Sequence, residues 1–191
     1  MITGQSGAGK GTLIARLLDC FPELRLAVSA TTRARRPGEV EGRHYYFISD
    51  EEFERRYAAG EFLEYHAFPW GQRSGTLVSE IDRIADEGGV CVLELETEGA
   101  LAVADRIPDA VTIFITASLD ELERRLRERA TESAGEIGER IRVAREQLRV
   151  ADRFDHVIEN DDLDRAAGEL CGLVREALAR SPHPTGTMPR P

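Results

Sequence analysis

Little in this chain is sulfur-bearing, basic in excess, or long and apolar. Among 191 residues only three are cysteines, Cys20, Cys91 and Cys171, widely spaced and without a CxxC pair. No paired-cysteine framework is therefore on offer, and a reducing compartment is expected. Cys91 lies in an apolar run and reads as a small core residue. Signal peptides, transit peptides and long apolar segments are absent, so a cytoplasmic location without a membrane partner is expected. Twenty-five Lys and Arg against 35 Asp and Glu leave a net charge of -10. That balance excludes a broad nucleic-acid-binding surface; any anion site must be a local cluster of arginines. What remains, 31% charged and 41% hydrophobic residues, suits a soluble globular enzyme with one core, or one core and a small inserted lobe.

Short β-type runs alternate with longer helical stretches. Strands are predicted at 24–29, 44–49, 61–68, 89–96, 110–116 and 156–160. Two of them, GVCVLELE and AVTIFIT, are nearly continuous apolar runs of the kind that buried parallel strands show. Helices are predicted over 12–20, 50–59, 119–129, 136–151 and 162–180. Ser49 with Glu52 and Ser118 with Glu121 form capping boxes for the second and third. The alternation predicts an α/β fold, a parallel sheet with helices on both faces. Residues 30–68, arginine-rich and then β-rich, interrupt it as an inserted lobe, and 130–138 reads as a mobile flap. The proline-rich, polar tail 181–191 is expected to be disordered, and no internal repeats occur.

The opening Gly4-Gln5-Ser6-Gly7-Ala8-Gly9-Lys10 fits G-x-x-x-x-G-K. Its glycines let successive backbone N–H groups point at a phosphate, the next helix adds its positive end, and Lys10 reaches the β- and γ-phosphates. Gly11 stands directly after the lysine and Thr12 one place later, a GKGT form that resembles adenylate kinases. The plain alternative is a glycine-rich hairpin with a surface lysine. Only Met1, Ile2 and Thr3 precede the loop, so either the first strand is unusually short or the start lies upstream.

Further along, SATTRARRPGEVEGRHYYF sets Ser29 at a strand end, then Arg33 and Arg36, then Tyr45. Two forked guanidiniums and a phenol converging on one point would clamp a phosphate dianion. A solvated basic loop is the competing reading, yet Arg33, Arg35, Arg36 and Arg43 concentrate in one loop of an acidic chain. Glu64 interrupts the apolar FLEYHAF. It is either an edge residue facing water or an acceptor for the N1–H and N2–H₂ of guanine, with Ser29 donating to O6. Adenine would set a lone pair against that carboxylate.

With these segments in place, the chain resembles the guanylate kinase family over about residues 1–180, through GQSGAGKGT, VSATTRARRPGEVEGRHYYF, GEFLEY, VLELETEGA, RERATES and VIENDDLDRA. The resemblance implies a P-loop NTPase-type sheet, a small β-rich lobe binding the nucleoside monophosphate, and a helical lid. It implies ATP-dependent phosphorylation of GMP or dGMP to GDP with Mg²⁺, small nucleotides as the only partners, and a monomer or homodimer. The implied division is a core of 1–29 and 69–180 with the lid at about 125–145, and a GMP-binding lobe of 30–68. Carried over by residue, Lys10, Arg33, Arg129 and Arg140 are catalytic, while Gly4, Ser6, Gly7, Ala8, Gly9, Lys10, Gly11, Thr12 and Asn160 bind ATP. Ser29, Arg33, Arg36, Tyr45, Glu64, Thr76 and Glu96 bind GMP; Thr12 and, through water, Glu96 attend the metal. Without the resemblance, Arg129 and Arg140 read equally well as helix-surface charges beside Arg124, Arg125, Arg127, Arg142 and Arg145.

Three departures bear on the acceptor. Glu96 stands where the family shows aspartate, and Glu98 where it shows glutamine. The family's Tyr-Gly-[Ser/Thr] reads Ser74-Gly75-Thr76, leaving Arg73 as the neighbouring replacement for the missing tyrosine. Two other functions therefore stay open: a related kinase acting on a modified nucleotide or a ribose bisphosphate-type acceptor, and a non-catalytic binding module.

Overall fold

A computed structural model describes residues 1–68, 71–128 and 134–180. The described chain divides into two compact units, one formed by 1–22 and 94–180 and the other by 23–93.

In the first unit, β1 (Ile2–Gly4), β8 (Ile113–Thr116) and β9 (His156–Glu159) form a parallel sheet in the order β1-β8-β9. The opening strand is three residues long, all buried, and extends its pairing through an isolated parallel bridge from Ile2 to Glu94. Gly4 ends it at φ 142°, where a Cβ would lie 1.9 Å from the Ile115 carbonyl oxygen. Only glycine lets the chain turn so close to β8. Around the sheet run α1 (Lys10–Cys20), α4 (Thr97–Arg106), α5 (Leu119–Glu128), α6 (Ala134–Leu148) and α7 (Leu163–Arg180). Leu13, Ile14, Phe114, Ile115, Leu122, Ile158 and Leu170 are fully buried between these layers. Burying each such side chain contributes about 1.5–3 kcal/mol. α1 lies along α7, with Arg16 bonded to Asp164 at 3.0 Å and Arg175 stacked over Phe21 at 5.5 Å.

The second unit holds β2 (Leu24–Leu26), paired in parallel with β7 (Val90–Val92), and α3 (Val78–Asp86). Its other sheet has four strands in the order β4-β3-β6-β5: β3 (Ala30–Thr31), β4 (Tyr46–Phe47), β5 (Phe62–Ala67) and β6 (Arg73–Leu77). α2 (Asp50–Ala58) covers this sheet by inserting Phe53, stacked on Phe62 at 4.5 Å, into a cluster with Ala30 and Leu77. Gly75 sits where a Cβ would meet the Glu64 carbonyl at 2.6 Å, so β5 and β6 approach through a residue without a side chain. Buried Glu80 joins three segments: its carboxylate accepts from Val28 N and the Tyr46 hydroxyl at 3.1 Å each, and from Arg83 at 2.7 Å.

Both predicted capping boxes are half formed. Ser49 and Ser118 hydroxyls accept the N–H of Glu52 and Glu121 at 3.1 and 3.3 Å. The two glutamates, however, bond forward to Arg55 and Arg56, and to Arg124 and Arg125, because a guanidinium one turn away is the stronger partner. Helices α3 and α4 and strand β6 were not individually foreseen, although α3 carries a helical period in Val78, Ile81 and Ile84.

Candidate active site

The first unit presents the glycine loop at the C-terminal edge of β1, running into α1. Gly7 and Gly9 take left-handed angles, φ 89° and 85°, that turn the backbone around the start of the helix. Gly9 caps α1, with no side-chain cap bond and no acidic residue in the first turn, which keeps the positive helix end suited to an anion. Lys10 Nζ donates to the carbonyls of Gly4 and Gln5 at 2.9 and 3.2 Å. Its pKa is lowered, first by burial, against the pull of Glu94 and then Glu96, which favour its charge. Burial also raises the Glu94 carboxyl, opposed by Lys10. Lys10 is half-buried, and Glu94 is crowded by protein yet exposed at its surface, so solvent reaches the recess they share. Thr12 and Glu96 are both exposed, the first in the opening turn of α1 and the second capping α4.

The far side of the loop is braced. Asn160 is buried after β9; its Nδ2 donates to the Ala8 carbonyl at 2.7 Å, and its amide lies so close to Gly9 that a Cβ there would come within 2.6 Å. Its Oδ1 is buried without a partner among the described residues. Arg125 of α5 donates to the same Ala8 carbonyl at 3.3 Å and to the Asn160 carbonyl at 2.6 Å. Asn160 was expected beside a nucleotide base, and it stands directly against the loop. Arg140 lies in α6, partly buried, whereas Arg129 lies outside the described residues, as does the tail.

In the second unit, Arg33 and Tyr45 are brought together. The Arg33 guanidinium sits 5.3 Å from the Tyr45 ring and 5.7 Å from that of Phe47. A carboxylate that the sequence reading overlooked, Glu39, grips the same fork at 2.7 and 3.0 Å and also accepts the Arg36 N–H at 2.7 Å. The Arg33 bond holds Glu39 at about 2, far below an ordinary carboxyl. Arg36 itself is exposed, and Ser29 is half-buried with its carbonyl bonded to Tyr46 N. Glu64 and Thr76 face each other across β5 and β6. Arg73, the neighbouring replacement for the missing tyrosine, is engaged elsewhere: it pairs with Asp50 at 2.8 Å and with Glu54, and stacks over Phe53 at 4.6 Å. Two carboxylates on the adjoining helix outcompete an acceptor role for it.

A family model described as guanylate kinase matches residues 1–177. The chain belongs to the guanylate kinase family. A guanylate kinase of Rubrobacter xylanophilus is 45% identical over 180 residues, covering 94% of each chain. One from Symbiobacterium thermophilum is 44% identical over 182 residues, covering 95% of this chain and 86% of the relative. Among solved structures, guanylate kinase from Anaplasma phagocytophilum superposes with a TM-score of 0.73 at 29% identity, over 92% of this chain and 84% of that one. The fold is accordingly that of an α/β P-loop kinase.

Against that family, residues unremarked in the sequence stand out. Glu94 is coupled to Lys10, Glu39 holds Arg33, and Arg125 braces the glycine loop. Arg125 carried a signal as one of several arginines on a helical stretch, and Glu39 lies only six residues from Arg33 in the same loop, where a carboxylate between arginines was open to notice; Glu94 lies too far from Lys10 along the chain for spacing to pair them.

Proposed function

We infer that this guanylate kinase family member transfers the γ-phosphoryl group of ATP to GMP, giving ADP and GDP. The observation that carries the reading is the family match across residues 1–177, backed by relatives at about 45% identity over nearly the full chain. We assign the glycine loop and Lys10 to the β- and γ-phosphates, with Asn160 near the base of ATP. Arg33, Arg36 and Tyr45 take the GMP phosphate. Glu64, Thr76 and Ser29 take the guanine edge: the carboxylate accepts N1–H and N2–H₂, and the serine hydroxyl donates to O6.

The metal fits this set. Among the described residues no group of three or more His, Cys, Asp or Glu could hold a metal ion by itself. Mg²⁺ is ordinarily held by nucleotide phosphates with one or two protein oxygens, and Thr12 and water-linked Glu96 offer them. When bound, Mg²⁺ neutralises charge on the β- and γ-oxygens.

A phosphate oxygen of GMP attacks the γ-phosphorus in line; the bond to the β–γ bridging oxygen breaks, and ADP leaves with the electron pair. No covalent enzyme intermediate is needed, so the protein positions and neutralises. Lys10, Arg129 and Arg140 supply positive charge around the transferring group, and Arg33 aligns the acceptor. The cytoplasm, where both nucleotides occur and thiols such as Cys20, Cys91 and Cys171 stay reduced, is the fitting compartment.

The test is product analysis by ion-exchange chromatography of enzyme with ATP, Mg²⁺ and GMP. Equal amounts of ADP and GDP are expected; ADP without GDP, or neither, contradicts the assignment.

A further inference from the structure

Gln5 follows Gly4 in the glycine loop at a position the motif leaves open, and its side chain is wholly buried. An amide in such a place costs about 1–3 kcal/mol for each polar group left unpaired. Here both ends are bonded. Oε1 accepts from the Thr116 hydroxyl at 2.6 Å and from Ala117 N at 3.0 Å, at the C-terminal end of β8. Nε2 donates to the Ala144 carbonyl of α6 at 3.1 Å. One residue on, Ser6 N donates to Gln147 Oε1, also on α6, at 3.3 Å. The loop is thus tied twice to one helix, through residues three apart and so on one face. Arg140 is four residues before Ala144 and falls on that same face, one turn nearer the N-terminus of α6.

We propose that Gln5 is a positioning residue for phosphoryl transfer: with Gln147 it locks α6 in register with the glycine loop, so that Arg140 is held over the donor phosphates. This rests on the assignment of Arg140 to the transferring group. A helix free to rotate or slide by about 1 Å would misplace a guanidinium enough to slow the chemical step roughly a hundredfold. Nucleotide binding, dominated by the loop amides and Lys10, would change little.

Gln5→Glu isolates the tie, because a carboxylate still accepts from Thr116 and Ala117 but repels the Ala144 carbonyl. Gln147→Ala, at a half-buried position, cuts the second tie without burying a charge and keeps the proposal testable should Gln5→Glu fail to fold. Each is combined with Arg140→Ala and, as a control, with Arg33→Ala, and kcat and both KM values are measured. The expected result is a roughly tenfold to hundredfold fall in kcat for the single variants, with KM for GMP within about twofold. In the Arg140→Ala background the same substitutions should cost less than about threefold, and in the Arg33→Ala background their full amount. Equal losses in the wild-type and Arg140→Ala backgrounds, or no loss from either substitution, overturn the positioning role. Wild-type kcat in Arg140→Ala alone removes the underlying assignment, and the proposal with it.

Discussion

Glu64 Oε1 accepts two hydrogen bonds from Thr76, from the backbone N–H and from the hydroxyl, each at 3.0 Å, across the β5–β6 pair. The carboxylate is therefore fixed in direction before any base arrives. Thr76 is almost fully buried, so this carboxylate also satisfies a donor that would otherwise go unpaired.

That double duty decides which substitution is informative. Glu64→Ala strands the Thr76 N–H and is expected to cost stability, about 1–3 kcal/mol, as well as activity. Glu64→Gln can keep the bonds from Thr76 through its remaining oxygen while turning one guanine-facing acceptor into a donor. The expected outcome is a melting temperature close to wild type, kcat/KM for GMP down by roughly 10²–10³, and ATP affinity unchanged by calorimetry. Equal damage to ATP and GMP binding would mean that Glu64 serves structure only.

Lys10→Met should lower turnover by roughly 10³-fold or more, since it removes the cation assigned to the transferring group. Folding should tolerate the change: the ammonium is desolvated by burial, and its loss relieves that cost as well as removing two carbonyl contacts. Thermal unfolding within a few degrees of wild type, with activity abolished, is the expected pair of results. Activity within tenfold of wild type would remove the phosphate role of the lysine.

The same recess sets a pH dependence. Lys10 is lowered from 10.5 and Glu94 raised from 4.5, so the charged pair exists over a narrower range than free side chains would give. The kcat/KM for ATP should fall on the alkaline side before pH 10.5 as Lys10 loses its proton. Glu94→Gln removes a charge that favours protonated Lys10, and should therefore move the alkaline limb to still lower pH. A limb that stays in place, or moves upward, contradicts the coupling.

Glu80 makes a separate test in the second unit. Desolvation would raise its carboxyl, but the bonds from Arg83, Val28 N and Tyr46 outweigh that and hold it below 4.5. A carboxyl depressed in the folded state adds stability above its unfolded pKa and loses it as pH falls through the folded value. Glu80→Ala should cost about 2–3 kcal/mol in urea unfolding at pH 7, with the gap to wild type closing as pH drops below about 4.5. A pH-independent gap would assign the loss to packing alone.

How far the chain could be read without coordinates follows from sequence distance. The glycine loop, α1 and the apolar strands are contiguous, and each carries its own period or turn chemistry, so they were legible. Arg33 and Tyr45 were legible as a cluster because twelve positions separate them within one loop-and-strand segment. Glu94 with Lys10, and Gln5 with Ala144, were not, since they meet only through strand order and helix placement. Arg73 shows the complementary limit: its neighbours in sequence suggested an anion site, whereas the carboxylates of Asp50 and Glu54 hold it from another element.

The account turns on a carboxylate that reads the donor edge of guanine. The most direct measurement is kcat/KM for ADP release with GMP, IMP and AMP side by side, since IMP differs from GMP only at N2. GMP should exceed IMP by at least about tenfold and AMP by far more; parity between GMP and IMP, or preference for AMP, would contradict it.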